Sequence, residues 1–289
     1  MRILGLDFFN GDTATAVDRA LENRGLIVAP SGSCFQRLQH DAVYREAMTN
    51  ADLILPDSGF MVLLWRFLRR EKITRISGLA YLNELLGRAA FRSDRSTLWV
   101  LPDDHAREIA LAWLQEHGFT TTLEDCYVAP MYGGQVQDPA LRDRIRAQPP
   151  THIVIALSGG VQEKLGFYLR AQSVRPSDLR SPTSSLHQGY GSAGRPPTSS
   201  LREAPAIHCI GGALGFVTGY QVAIPNWADR LYLGWLLRLL ANPRRFIPRA
   251  LDAFALPGLI MRYGKELPAA EAVGGRRSEV GECKTEKRI

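Results

Sequence analysis

Cysteine is scarce in this chain. There are four in 289 residues, at positions 34, 126, 209 and 283, and no two form a Cys-x-x-Cys pair. A chain of this length buries most of its apolar surface and needs no disulfide or metal staple, so a small secreted knot is excluded. The thiols are expected to be reduced, as in a cytosolic protein. Long hydrophobic runs are also missing: the best, Leu231 to Ala241, is interrupted by Arg238 and falls short of the roughly 20 residues a membrane span needs. The opening Met1-Arg2-Ile3-Leu4-Gly5-Leu6-Asp7 meets an acid too early for a signal peptide. There is no H-E-x-x-H and no Cys/His cluster, so no metal site is expected. Gly211-Gly212-Ala213-Leu214-Gly215 lacks the spacing of a dinucleotide loop. Ala156-Leu157-Ser158-Gly159-Gly160 lacks the first glycine of a hydrolase elbow, and no partner stands out among six histidines.

What is present is an ordinary globular composition, 45% apolar and 22% charged, enough for one large or two small domains. The net charge is 35 − 29 = +6, and it is uneven. From Pro225 to Ile289 there are 12 basic and 7 acidic residues, which is +5 of the +6. A basic end suits nucleic acid, an anionic membrane or a phosphorylated substrate. No nucleic-acid motif accompanies it, so nucleic acid is not expected as a partner.

The first half alternates helical and strand-like stretches. Helices are expected at Thr13–Asn23, Phe35–Thr49, Met61–Arg70, Tyr81–Ala90 and His105–His117. Strands are expected at Leu26–Ala29, Ala51–Leu55, Thr97–Leu101, His152–Leu157 and Ala206–Ile210. Short, continuously apolar strands between helices indicate an α/β fold, a mainly parallel sheet covered on both faces. Ligands in such sheets sit beyond the carboxyl ends of the strands. Residues 175–204, rich in Ser, Pro and Gly and carrying Pro-Thr-Ser-Ser-Leu twice, read as a flexible insertion. From Trp227 to Leu251, Trp227, Leu231, Tyr232, Trp235, Leu236 and Leu239 recur at helical spacing with interleaved arginines. That helix either packs on a core with a solvated basic face or lies on an anionic bilayer. The chain thus divides into an α/β domain, 1–224, a helical appendage, 225–266, and a polar, disordered tail, 267–289.

The turns after the strands hold the candidate chemistry. Asp57, in Pro56-Asp57-Ser58-Gly59, is placed either to act as a general base or to cap the next helix. Gln162-Glu163-Lys164 follows the Ser158-Gly159-Gly160 turn, where backbone N–H groups and a lysine could meet phosphate; the plainer reading is a solvated first helical turn. His152 and His208, inside strands, read as satisfied structural residues.

Ala51-Asp52-Leu53-Ile54-Leu55-Pro56-Asp57, Gln162-Glu163-Lys164, Gly211-Gly212-Ala213 and the Trp227–Arg245 region, with Arg230-Leu231-Tyr232-Leu233-Gly234-Trp235 and Pro243-Arg244-Arg245, occur in one order. In that order the chain resembles the WecG/TagA/CpsF family of bacterial glycosyltransferases over about residues 1 to 255, outside the insertion. The resemblance implies a Rossmann-like domain with a basic, membrane-contacting helical appendage. It implies an inverting, metal-independent transfer of an N-acetylhexosamine-type sugar, with no cofactor, from a UDP donor to an undecaprenyl-diphosphate-linked acceptor in cell-surface polysaccharide synthesis. The expected place is the inner face of the cell membrane. By the same resemblance Asp57 is the catalytic base, and Ser31, Ser58, Gln162, Glu163, Lys164, Gly211 and Gly212 belong to the substrate pocket. Arg230, Arg238 and Arg244 fall where the appendage brings arginines to the diphosphate. Self-association would hide the appendage's apolar residues away from lipid.

The chain departs from the family pattern in several places. Ala29-Pro30-Ser31 replaces Thr-Pro-Asn, Pro56-Asp57-Ser58 replaces Pro-Asp-Gly, and Gly78-Leu79-Ala80 lacks the acid of Gly-Ser-Asp. Pro102-Asp103 stands in place of Gly-Gly, and Gly159-Gly160-Val161 in place of Ala-Pro-Lys. These changes imply a different donor sugar or, as the alternative function, a weak or inactive relative that binds a nucleotide sugar.

Overall fold

The computed structural model describes residues 1–93, 96–173, 204–221 and 252–271. A hairpin of β1 (Arg2–Ile3) and β2 (Leu6–Asp7) opens the chain. Its turn residues Leu4 and Gly5 both have positive φ, 50° and 75°. Helix α1 (Thr13–Asn23) follows, capped by Asp12, whose carboxylate accepts from the Thr15 N–H. Then come β3 (Gly25–Val28), α2 (Arg37–His40), α3 (Ala42–Thr49), β4 (Leu53–Ile54), α4 (Gly59–Arg69), α5 (Gly78–Gly87) and α6 (Ala89–Ser93). The second half runs β5 (Thr97–Leu101), α7 (Asp104–Glu116), β6 (Cys126–Val128), α8 (Pro139–Ala147), β7 (His152–Ile155), α9 (Val161–Ser173), β8 (Ala206–Cys209) and α10 (Ala213–Val217). Helix α11 (Ala255–Tyr263) ends the described structure.

Strands β3 to β8 form one parallel sheet in the order β4-β3-β8-β7-β5-β6. Successive side chains of a strand face opposite sides, and here both sides are dry. Leu26, Val28, Leu98, Val100, Ile153, Ile155 and Ile207 join a core with residues of α3, α4, α8, α9 and α11. Ile27, Trp99, Leu101, Val154 and Ala206 join a second core with residues of α1, α5 and α7. This is why the strands read as continuous apolar runs, and the expected α/β architecture with helices on both faces is what the structure has.

The differences are local. The expected helix Phe35–Thr49 is broken at Asp41, which leaves helical geometry (φ −120°, ψ 98°) and caps α3 by accepting from the Tyr44 N–H. The expected helix at Tyr81 begins at Gly78, because Ser77 caps it through the Ala80 N–H. Hairpin β1–β2, strand β6 and helix α8 have no counterpart in the sequence reading. Strand β6 has three residues, too few for a period. Helix α8 did carry a signal, with Asp138 as N-cap and Pro139 at its first position.

Residues 252–271 pack on the domain. Helix α11 lies against α4, and the hairpin turn meets the segment after it: the Leu4 and Gly5 N–H groups donate to the carbonyls of Gly264 and Lys265, at 2.8 and 3.0 Å. The first residues assigned to the tail belong to this contact. Leu267 covers Gly5, the Pro268 carbonyl accepts from Arg45, and the Glu271 N–H donates to the Gln39 carbonyl. Apart from Ala204, the insertion lies outside the described residues, as does the appendage up to residue 251.

Candidate active site

The carboxyl ends of the six parallel strands open into one cavity of about 390 Å³. Its wall takes Ala29 and Ser31 from beyond β3, Asp57 from beyond β4, Pro102 and Asp103 from beyond β5, and Ala129 to Tyr132 from beyond β6. Ala156 to Gly159 follow β7, and Ile210 to Ala213 follow β8. Tyr220 and Gln221 close one side.

Asp57 is half-buried on this wall and held from two directions. Its Oδ1 accepts the Gly78 N–H at 2.9 Å, at the first turn of α5, and its carbonyl accepts from Arg75 Nε at 2.9 Å. The N-terminus of α5 therefore orients the carboxylate across the loop between β4 and α5. Asp57 does not cap α4; Ser58 does, accepting the Met61 N–H at 3.2 Å. Arg75 lines the cavity too. The sequence reading passed over it, although it lies three residues before Gly78, the start of a motif it quoted.

Gln162 reaches the cavity from α9 with 1% of its surface exposed. Its Oε1 accepts the Gly211 N–H at 2.6 Å and its Nε2 donates to Glu163 Oε1 at 3.2 Å. Glu163 is wholly buried, and its other oxygen accepts the Gly160 N–H at 2.6 Å. Burial raises the Glu163 carboxyl above the ordinary range, against the pull of these donors and of the Arg37 charge. One carboxylate thus locks an amide, and the amide locks the turn after β8. Gly160 has φ +87°, and the space a side chain would need is taken by the Arg37 guanidinium, 2.9 Å away.

The sequence-derived site residues separate into three groups. Asp57, Ser31, Gln162, Gly211 and Gly212 share the cavity wall. Ser58, Glu163 and Lys164 do not line it. The expectation that the glycine turns offer open N–H groups and a lysine to phosphate needs correction here. The N–H groups of Gly160 and Gly211 are engaged by Glu163 and Gln162, and Lys164 Nζ is paired with Asp41 at 2.8 Å. The solvated-turn reading fails as well, since all three side chains of the triplet are at least nine-tenths buried. Arg230, Arg238 and Arg244 lie outside the described residues.

The structure adds two polar groups at the other end of the wall. Asp103 caps α7 through the Ala106 N–H at 2.7 Å and accepts the Tyr220 hydroxyl at 2.6 Å. These bonds hold its carboxyl below the usual range. Tyr132 donates to Asp138 at 2.8 Å, as does Tyr127 at 2.9 Å. His152 and His208 are structural, as expected. His208 sits between Tyr81, 2.9 Å from its Nδ1, and His152, 3.2 Å from its Nε2, beneath Phe91. Among the described residues no cluster of three His, Cys, Asp or Glu could hold a metal ion, and no helix is long and apolar enough to cross a membrane.

A cavity at the strand ends, with a helix-anchored carboxylate beside an arginine, suits proton abstraction next to a phosphorylated substrate. Comparison with known proteins agrees with that chemistry. The chain is 25% identical over 207 residues to the N-acetylglucosaminyldiphosphoundecaprenol N-acetyl-beta-D-mannosaminyltransferase of Bacillus subtilis (strain 168), covering 71% of this chain and 67% of that protein. Residues 1–175 and 198–269 match the glycosyl transferase WecG/TagA/CpsF family, and across that span, which holds the sheet and the whole cavity wall, the chain belongs to this family.

Proposed function

We propose that this chain transfers an N-acetylhexosamine from a UDP-sugar to a sugar linked through diphosphate to undecaprenol, at the inner face of the cell membrane, in cell-surface polysaccharide synthesis. The observation that carries the reading is Asp57, on the wall of the strand-end cavity and anchored by the Gly78 N–H and Arg75. Asp57 takes the proton from the acceptor hydroxyl as its oxygen attacks the anomeric carbon. The bond from that carbon to the UDP oxygen breaks, UDP leaves with the electron pair, and the anomeric configuration inverts. Arg75 sits where negative charge develops, and Arg230, Arg238 and Arg244 are read as further partners of the leaving diphosphate. Cationic stabilisation in this scheme comes from arginine, with no resident cofactor or metal.

A lipid-linked acceptor requires contact with the bilayer. Helices α4 and α11 pack together and leave Leu63, Phe67 and Met261 exposed, beside Arg66, Arg69, Arg70 and Arg262. Apolar side chains ringed by arginine suit an anionic lipid surface.

The test is UDP release from a panel of UDP-sugars, with and without a short-chain lipid-diphosphate-GlcNAc. Acceptor-dependent release from one donor is expected, and Asp57→Asn should lower kcat by about 10²–10⁴ while leaving UDP binding intact. Equal turnover in Asp57→Asn and wild type would remove Asp57 as the base. UDP binding without turnover from any donor would favour the nucleotide-sugar-binding relative.

A further inference from the structure

The cavity is electrostatically lopsided. Among the described residues on its wall, Arg75 is the one basic side chain, and it lies beside Asp57. The second acid on the wall, Asp103, belongs to the far end. Asp57 follows β4 and Asp103 follows β5, and β3, β8 and β7 lie between those strands. Four strand spacings of about 4.8 Å put roughly 19 Å between the two strands at the sheet. Tyr132, from beyond β6, and Tyr220 stand at the Asp103 end.

This polarity orients a nucleoside diphosphate sugar, given the reading of Asp57 as base, on which the inference rests. The reacting anomeric carbon must lie near Asp57, so the sugar occupies that end. The diphosphate follows, towards Arg75 and away from the Asp103 carboxylate, which would repel it. The nucleoside is then left with the far end. A carboxylate there is a poor neighbour for phosphate but a good acceptor for a pair of vicinal hydroxyls. Asp103 has lone pairs for that task, since each of its oxygens takes one short bond, Oδ1 from the Ala106 N–H and Oδ2 from the Tyr220 hydroxyl. Those two bonds also prevent the side chain from rotating away.

We infer that Asp103 is the ribose-recognising residue of this site, accepting hydrogen bonds from the 2′- and 3′-hydroxyls of a nucleoside diphosphate whose base lies against the tyrosines at the β5–β6 end. Tyr220 is a positioning residue that acts through Asp103. The carboxylate remains charged at neutral pH, because Tyr220 and the Ala106 N–H hold its pKa below the usual range. The arrangement selects ribonucleotides over analogues without the hydroxyls, since a buried acceptor pair left unmatched is costly.

The test compares binding of UDP and 2′,3′-dideoxy-UDP by titration calorimetry to the full chain and to Asp103→Ser. Serine keeps the cap of α7 and so preserves the helix, but it removes the carboxylate. Wild type is expected to prefer UDP by about tenfold or more. Asp103→Ser is expected to bind both nucleotides within about twofold of each other, with an unchanged melting temperature. A preference for UDP that survives in Asp103→Ser, or equal binding of both by wild type, overturns the assignment of Asp103 while leaving the donor reading in place. Failure of wild type to bind either nucleotide overturns the UDP-donor reading and the inference with it.

Discussion

Glu163 shows how much one buried side chain can decide. Its two oxygens each accept one donor, the Gly160 N–H and the Gln162 amide, and the Gln162 carbonyl oxygen then has only the Gly211 N–H to serve. Glu163→Gln would place an NH₂ against one of those donors. Gln162 cannot flip to relieve the clash without losing Gly211. The expected outcome is a loss of about 1–3 kcal/mol in denaturant unfolding, although the change removes a buried charge. If Glu163→Gln is as stable as wild type, the chain of bonds is not cooperative. His208 makes a second point at this scale. Full burial and neighbouring His152 hold its pKa well below 6.5. The neutral chain that satisfies these rings runs from the Tyr81 hydroxyl to His208 Nδ1 and from His208 Nε2–H to His152 Nδ1. Below pH 6.5 the unfolded chain therefore binds a proton that the folded one refuses, so stability falls as pH falls. One such group contributes a slope approaching 1.4 kcal/mol per pH unit. Unfolding free energies at pH 7.5 and 5.5 should show this loss in wild type and less of it in His208→Gln.

Among the elements, the hairpin β1–β2 and the segment from α11 to Glu271 depend on each other. They meet where Gly5 has φ +75° and a side chain would lie 2.4 Å from Leu267 Cβ. Gly5→Ala carries both the steric clash and the left-handed backbone, a cost of about 1–3 kcal/mol. Because the clash sits at this seam, faster amide exchange over residues 255–271 is expected in Gly5→Ala. Unchanged exchange there would mean that the hairpin does not hold the segment. Neither element was legible beforehand. A two-residue strand has no period, and the apolar residues of α11 (Leu256, Leu259 and Ile260) find their partners more than 180 residues away in sequence. The break at Asp41 has the opposite lesson. Asp is a recognised cap, yet the apolar periodicity across Phe35–Thr49 masked it, because Leu38 and Tyr44 on either side of the break are both buried in one core.

At the scale of the whole molecule, activity depends on the cavity and the lipid surface being engaged together. Flotation with vesicles containing an anionic lipid is expected to capture the protein, and raising the salt concentration should weaken capture through screening. Phe67→Asp, at a residue 81% exposed, should reduce capture without lowering stability by more than about 0.5 kcal/mol. Capture that is indifferent to both salt and Phe67 would remove α4 from the lipid surface. The sequence by itself determined the class of fold, because runs such as His152–Leu157 and Ala206–Ile210 are apolar on both faces, and only a sheet covered on both sides buries such strands. It also determined that the chemistry lies in the turns after the strands, since parallel strands present all their carboxyl ends at one edge. Only the tertiary structure decided which residues of those turns face the cavity. Gln162 and Lys164 are two positions apart on α9 and both are buried, yet one lines the cavity beside Gly211 and the other pairs with Asp41. Arg75, Asp103 and Tyr220 enter the cavity wall from three separate loops. Such convergence depends on the order of strands in the sheet, which no local pattern of residues encodes.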